Sequence, residues 1–297
     1  MKKFLSIALL VCMCLGLLAG CGSDAATETT AAAAGSGETA AAAPAEGYAE
    51  DVQAIIDRGV LRVGVKNAVE GFGFQDTLTG EYSGMEIDLA NMIAEHLGVD
   101  VEFTTVTAAT RSELLDSGDI DCVLATFTIT EERKQSWDFT TPYYTDHVTV
   151  LVEKDSGITS LADLEGAVIG VSSGSTSAKS VVQALIDNGI IDGEGFDPDT
   201  FDPATWTEFV SFRQYEDYPA ISTALSANEV QAFSVDKSIL AIYNTDSRTY
   251  IEEEFAPQEY GIATTKGSGF SAVCEELVTG WLEDGTINGL IETYGLG

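Results

Sequence analysis

The chain has 297 residues, 45% of them hydrophobic, and carries 48 acidic against 14 basic side chains for a net charge of −34. A surface so acidic repels polyanions, so nucleic acid is not an expected partner. Two histidines and five cysteines, in no metal-ligand spacing, give no reason to expect a metal centre or a cofactor.

The N-terminus opens on Lys2 and Lys3, runs apolar from 4 to 18 and ends Leu18-Ala19-Gly20-Cys21. The apolar run falls short of the roughly 20 residues that span a bilayer and suits the core of a signal peptide. Its ending resembles the lipobox of bacterial lipoproteins, which implies cleavage before Cys21 and a diacylglycerol on the Cys21 thiol. Residues 1–20 are therefore expected to be a signal peptide, the alternative being an uncleaved membrane anchor. Cleavage removes two lysines and no acid, leaving 277 residues with 12 basic against 48 acidic side chains, a charge of −36. Residues 22–47 are small and polar with one proline and no aromatic, a composition that cannot bury enough surface to fold. The stretch 21–47 thus reads as a lipidated cysteine and a flexible tether. Cys122, in an apolar run, and Cys274, on a helical pattern, read as buried small hydrophobes.

From about 48 the composition turns globular, and the length that remains suits two lobes. Runs rich in Val, Ile and Leu at 61–65, 101–106, 120–125, 148–152, 167–171 and 230–234 predict buried strands. Amphipathic stretches at 87–97 and 180–188, each followed by glycine, predict helices with left-handed caps. Thr110-Arg111-Ser112-Glu113 has the pattern of a capping box opening another helix. The sum is an α/β chain with mainly parallel sheets flanked by helices.

In open α/β sheets, ligands bind beyond the carboxyl ends of the strands. Lys66 follows the first predicted strand, and Thr126, Thr128 and Arg133 follow the third, with Arg133 at the first turn of a helix. A Ser/Gly/Thr loop at 172–177 follows the fifth and leads into a helix, and Asp236 follows the sixth. An arginine fork matches a carboxylate, free N–H groups at a helix start suit the same anion, and a carboxylate accepts from an ammonium. One small zwitterion, such as an amino acid, satisfies that set. Each element also has a plainer reading: Arg133 with Lys134 as a solvated helix face, and Asp236 as a helix N-cap. The loop lacks the Gly-Lys-Ser/Thr ending of a phosphate-binding loop, and Gly71-Phe72-Gly73-Phe74 is too short for a dinucleotide fingerprint.

Leu124-Ala125-Thr126-Phe127-Thr128-Ile129-Thr130-Glu131-Glu132-Arg133-Lys134, with Asp138-Phe139 and Pro142-Tyr143-Tyr144 after it, resembles the central motif of polar amino-acid-binding proteins of ABC importers. Gly84-Met85-Glu86-Ile87-Asp88-Leu89-Ala90 is similar to their second signature, although Met85 departs from the usual aromatic or aliphatic residue. The resemblance runs from about 50 to the C-terminus. It implies a type II periplasmic-binding-protein clamshell, with lobe 1 at 48–144 and 260–297, lobe 2 at 147–256 and a hinge near 143–147 and 256–260. It also implies a polar amino-acid ligand, an ABC permease/ATPase as partner, a monomer, and a place on the outer face of the cytoplasmic membrane. By the family pattern Arg133 grips the ligand α-carboxylate with Thr128 and the Thr176 backbone, while Asp236 takes the ammonium with the Thr126 carbonyl.

Segments 107–111, 217–219, 232–240 and 257–261 are similar to the aspartate/glutamate-binding branch, in which the positions of Lys66, Arg111 and Tyr218 face the side-chain carboxylate. The plainer reading makes Arg111 an exposed first-turn residue and Lys66 a rim charge. The acidic stretch 192–209, with two Asp-Pro steps and Trp206, is longer than that branch carries and bears on fine specificity. A neutral ligand such as glutamine or cystine is the first alternative. A dehydratase on the same fold is the second, and the sequence shows no general acid for it.

Overall fold

The computed structural model describes residues 47–297. The expected signal peptide, Cys21 and the expected tether as far as 46 lie outside the described residues. The chain begins with α1 (Glu50–Arg58), β1 (Val60–Val65), three short strands β2 (Ala68–Val69), β3 (Gly73–Gln75) and β4 (Tyr82–Ser83), α2 (Met85–Leu97), β5 (Asp100–Thr105), α3 (Arg111–Asp116), β6 (Cys122–Leu124) and β7 (Trp137–Phe139). It then crosses to a second sheet through β8 (Tyr144–Glu153), followed by β9 (Val168–Ser172), α4 (Ser177–Asp187), β10 (Ser211–Tyr215), α5 (Tyr218–Ser226), β11 (Ala232–Asp236), α6 (Lys237–Leu240) and β12 (Arg248–Tyr250). The return passes through β13 (Phe255–Tyr260) to β14 (Ala263–Thr265), α7 (Gly269–Glu283) and α8 (Thr286–Thr293).

Two sheets result, ordered β5-β1-β6-β14-β7 and β10-β9-β11-β8-β12, with β13 also on β8 and a small sheet β2-β3-β4 beside them. All six apolar runs became strands, and five are largely buried, as a nearly continuous apolar sequence suits. The 101–106 run instead forms the edge strand β5, none of whose residues is buried. Pairing is parallel at β5-β1-β6 and β10-β9-β11. It is antiparallel wherever a strand enters or leaves by a crossing, as at β14-β6, β8-β11 and β8-β13. The crossing strands face each other directly, Tyr144 opposite Tyr260 and His147 opposite Pro257.

The helices follow from face and cap. In α2, Met85, Leu89, Ile93 and Leu97 recur every fourth residue on the buried side, and Gly98 closes the helix at φ 68°. Cys122 and Cys274 are buried and free. Three local expectations fail. The capping box at α3 does not form, because the Thr110 hydroxyl accepts from Thr107 N–H at 3.0 Å rather than capping its own helix. Arg133 opens a single 3-10 turn over Arg133–Gln135 rather than an α-helix. Helix α4 starts at Ser177, three residues before the expected position, because Ser175 turns back onto the Ser172 carbonyl and sends the chain into the helix early.

The stretch 192–209 contains no helix or strand. Its aspartates make it ordered without either: Asp192, Asp197 and Asp202 each accept the backbone N–H two residues on, at 2.8, 3.0 and 2.9 Å. Phe196, Phe201 and Trp206 pack edge to face, 5.4 to 5.8 Å between centroids, and cover the core of the second sheet.

Candidate functional site

The carboxyl ends of the parallel strands converge on one place. Lys66 leaves β1, Ala125 to Thr128 leave β6, Ser173 to Thr176 join β9 to α4, Tyr218 opens α5 after β10, and Asp236 ends β11. A small cavity between the sheets is lined by Arg111, Thr126, Thr128, Thr176, Tyr218 and Asp236, with Ala108, Ser175, Ser177 and Val235. Six of the eight candidate residues therefore meet on one cavity. The other two stand beside it: Arg133 lines a neighbouring pocket that shares Ser175 and Thr176 with it, and Lys66 lies over the Tyr218 ring, 5.3 Å from its centroid. Lys66 also faces a chamber of about 300 Å³ that continues past Tyr218 along Thr107, Ser172 and Asp217.

The plainer readings of these charges are overturned. Arg111 is 2% exposed and Lys66 4%, so neither is a surface residue. Asp236 precedes α6 but makes no capping bond; its carboxylate accepts instead from the Tyr260 hydroxyl. Arg133 is no solvated helix face: Nη1 donates to the Thr128 carbonyl at 2.7 Å and Nη2 to the Gly174 carbonyl across the cleft at 3.1 Å. Both guanidinium groups lie against Phe127, 3.9 Å from its centroid for Arg111 and 4.7 Å for Arg133. Nη1 of Arg111 donates to the carbonyls of Ala125 at 2.8 Å and Thr126 at 3.1 Å, while its buried Nε has no partner among the described residues.

Thr126 takes φ +46°, a left-handed conformation that costs a threonine about 1 to 3 kcal/mol. The strain is held by neighbours. Glu86, fully buried in α2, accepts Thr126 N–H at 2.6 Å and the Tyr143 hydroxyl at 2.5 Å through one oxygen. Gln258, on the crossing strand β13, accepts the hydroxyls of Thr128 at 2.9 Å and Thr176 at 2.7 Å, tying both sides of the cleft. Asp146, on the other crossing strand, accepts from Ser238 N–H at 3.1 Å and from the Tyr260 hydroxyl at 3.3 Å. Sequence reasoning did not single out these three residues for the site. The available signal was an acid or amide inside an otherwise apolar stretch, as with Glu86 between Met85 and Ile87.

Desolvation governs the charges. Burial, reinforced by Arg111 nearby, holds the Lys66 ammonium well below its ordinary pKa. Burial and then Arg111 push Arg133 down to about 9. Burial raises Glu86 despite its two hydrogen bonds. Burial and then the charge of Asp146 raise Asp236 to about 7, against the opposing pull of the Tyr260 hydroxyl, Arg111 and Arg133. Burial thus disfavours the charged forms of Lys66, Arg133 and Asp236 alike, and a ligand group of opposite charge brought against any of them would restore its charge.

The model of the bacterial extracellular solute-binding proteins, family 3, matches residues 61–296. A glutamine-binding protein of Geobacillus stearothermophilus is 31% identical over 271 residues, 89% of this chain and 93% of that protein. A glutamate-binding protein of Corynebacterium efficiens is 29% identical over 258 residues, 81% of this chain and 80% of its own. Among solved structures, an ancestral arginine-binding protein bound to arginine superposes with a TM-score of 0.66 at 33% identity, covering 80% of this chain and 98% of its own.

Proposed function

The chain belongs to the bacterial extracellular solute-binding proteins of family 3, and from that premise we propose that its ligand is a dicarboxylic amino acid, L-glutamate or L-aspartate. At the coarser level it is an amino-acid-binding protein of an ABC transporter. One observation carries the choice of ligand: two cations, Lys66 and Arg111, are buried beside Tyr218 in addition to the Arg133 that every amino acid would use. A buried cation without a partner is costly, and a side-chain carboxylate supplies the missing counter-charge.

In this reading the α-carboxylate takes the Arg133 fork, the Thr128 hydroxyl and the N–H groups at the start of α4 by Thr176. The ammonium takes Asp236 and the Thr126 carbonyl, and the side-chain carboxylate takes Lys66 and Arg111 with Tyr218. Lobe 1 (48–144 and 260–297) and lobe 2 (147–256) close on the ligand about 143–147 and 256–260, and the permease and ATPase receive it. A second reading, a neutral amide ligand, draws support from the two backbone carbonyls that already occupy one Arg111 nitrogen and from the glutamine-binding relative. Catalysis is not proposed, because the one acid lining the cavity, Asp236, is needed for the ammonium.

A thermal-shift screen over the twenty amino acids tests the ligand. A ligand at about a hundred times its Kd adds roughly 2.7 kcal/mol of stability, so L-glutamate or L-aspartate should raise the melting temperature most. A larger rise with L-glutamine moves the protein to the neutral reading. We also propose that lipid on Cys21 tethers the chain outside the cytoplasmic membrane, as the lipobox likeness implies. Mass spectrometry of membrane-extracted protein should find an acylated Cys21 N-terminus, and an unmodified one refutes the anchor.

A further inference from the structure

We propose that Glu86 is a positioning residue for Arg111, acting as a hydrogen-bond acceptor through the Ala125–Thr126 peptide, and that it thereby sets how well the site tells a side-chain carboxylate from an amide. The proposal rests on the reading of Arg111 as a side-chain cation.

The geometry is two hydrogen bonds joined by one peptide. Glu86 accepts Thr126 N–H at 2.6 Å. That N–H and the Ala125 carbonyl belong to one rigid trans peptide and point in opposite directions. The Ala125 carbonyl is the stronger of the two acceptors that hold Arg111 Nη1, 2.8 Å against 3.1 Å for Thr126. Fixing one side of the peptide therefore aims the other. The peptide needs fixing, because Thr126 sits at φ +46°, a conformation that L-residues leave unless something holds them. Glu86 itself cannot drift: it is fully buried on α2, and the same oxygen takes the Tyr143 hydroxyl at 2.5 Å.

Two features make this role more than that of a counter-charge. The Glu86 charge favours the charged forms of Lys66 and Arg111, but among the described residues it forms no direct ion pair with them, and both of its hydrogen bonds use one oxygen while the other has no partner there. Glu86 also does not line the cavity, so it acts through another residue rather than on the ligand. A side chain of the same length with one acceptor oxygen should therefore serve, and a shorter carboxylate should not.

The test is titration calorimetry of L-glutamate and L-glutamine on the wild type, Glu86→Gln and Glu86→Asp. Glu86→Gln keeps reach and acceptor but loses the charge, and should leave both affinities and their ratio within about threefold of wild type. Glu86→Asp keeps the charge but retracts the oxygen by one methylene. It should lower the affinity for L-glutamate about tenfold and bring the ratio toward unity. The proposal is overturned if Glu86→Asp keeps the wild-type ratio, or if Glu86→Gln loses it. A wild type that does not prefer L-glutamate defeats the ligand reading alone. Glu86 is then judged on L-glutamate affinity alone, which Glu86→Asp should still lower and Glu86→Gln should still keep.

Discussion

The elements of the first sheet bring Arg111 to the cavity, with Lys66 and Arg133 beside it, whereas those of the second bring one carboxylate, Asp236, the Tyr218 ring and a loop of serines, a threonine and a glycine. The first side supplies the basic side chains; apart from Tyr218 and Asp236, the second is built largely from backbone and small residues. Gly174 shows how close the two come. A Cβ there would lie 2.6 Å from the Ala108 carbonyl oxygen opposite, and Gly174 holds φ +74°, which glycine adopts freely. The division means that neither side alone satisfies a zwitterion. A ligand with both charges joins them, so ligand affinity and closure become one equilibrium.

The sharpest way to break that division is to remove the cation that already spans it. Arg133→Ala takes away the link from Thr128 to Gly174 and leaves the ligand carboxylate without its fork. Losing one partner of a partly buried charge pair costs roughly 3 to 5 kcal/mol, so affinity for any amino acid should fall by about a hundredfold to several thousandfold. Calorimetry that finds the variant within about threefold of wild type would place the carboxylate elsewhere.

The two sides were not equally legible in the sequence. The strands were, because burial on both faces writes itself as runs of Val, Ile and Leu. The polar residues at their ends followed from the rule that ligands bind at carboxyl ends. Burial of charge was not legible. Composition assigns lysine, arginine and glutamate to the surface, and only tertiary packing against Phe127, Tyr218 and Tyr143 puts Arg111, Lys66 and Glu86 inside. Gln258 and Asp146 were hidden for a related reason. They sit beside other polar residues on the crossing strands, Asp146 between Thr145 and His147 and Gln258 before Glu259, so a buried amide or acid looks like a solvent-facing one. The stretch 192–209 read as an acidic insertion, and its order depends on side-chain-to-backbone turns and three packed rings that no periodicity announces.

A gentler probe titrates the second side. Asp236 stands at about 7 because of burial and the nearby Asp146, with the Tyr260 hydroxyl, Arg111 and Arg133 opposing. Its folded-state pKa is raised, so below pH 7 it holds a proton that an incoming ammonium must displace. Affinity should be flat above about pH 8 and fall by up to roughly tenfold per pH unit below pH 7, with proton release on binding. Lys66 titrates in the opposite sense for an acidic ligand, so the measurement belongs in Lys66→Met, which removes that competing group. An affinity unchanged between pH 5 and pH 7 would mean that Asp236 does not receive the ammonium.

The excess of cations on the first side is the ground for the choice of ligand, and one comparison measures it directly: titration calorimetry of L-glutamate against L-glutamine on wild type and on Lys66→Met. A hydrogen bond to a charged group is worth about 1.5 to 3 kcal/mol. Wild type should therefore prefer L-glutamate by about tenfold or more, and Lys66→Met should lose most of that preference while keeping its affinity for L-glutamine. Equal affinities in the wild type, or a preference that survives in Lys66→Met, would contradict the assignment of Lys66 to a side-chain carboxylate.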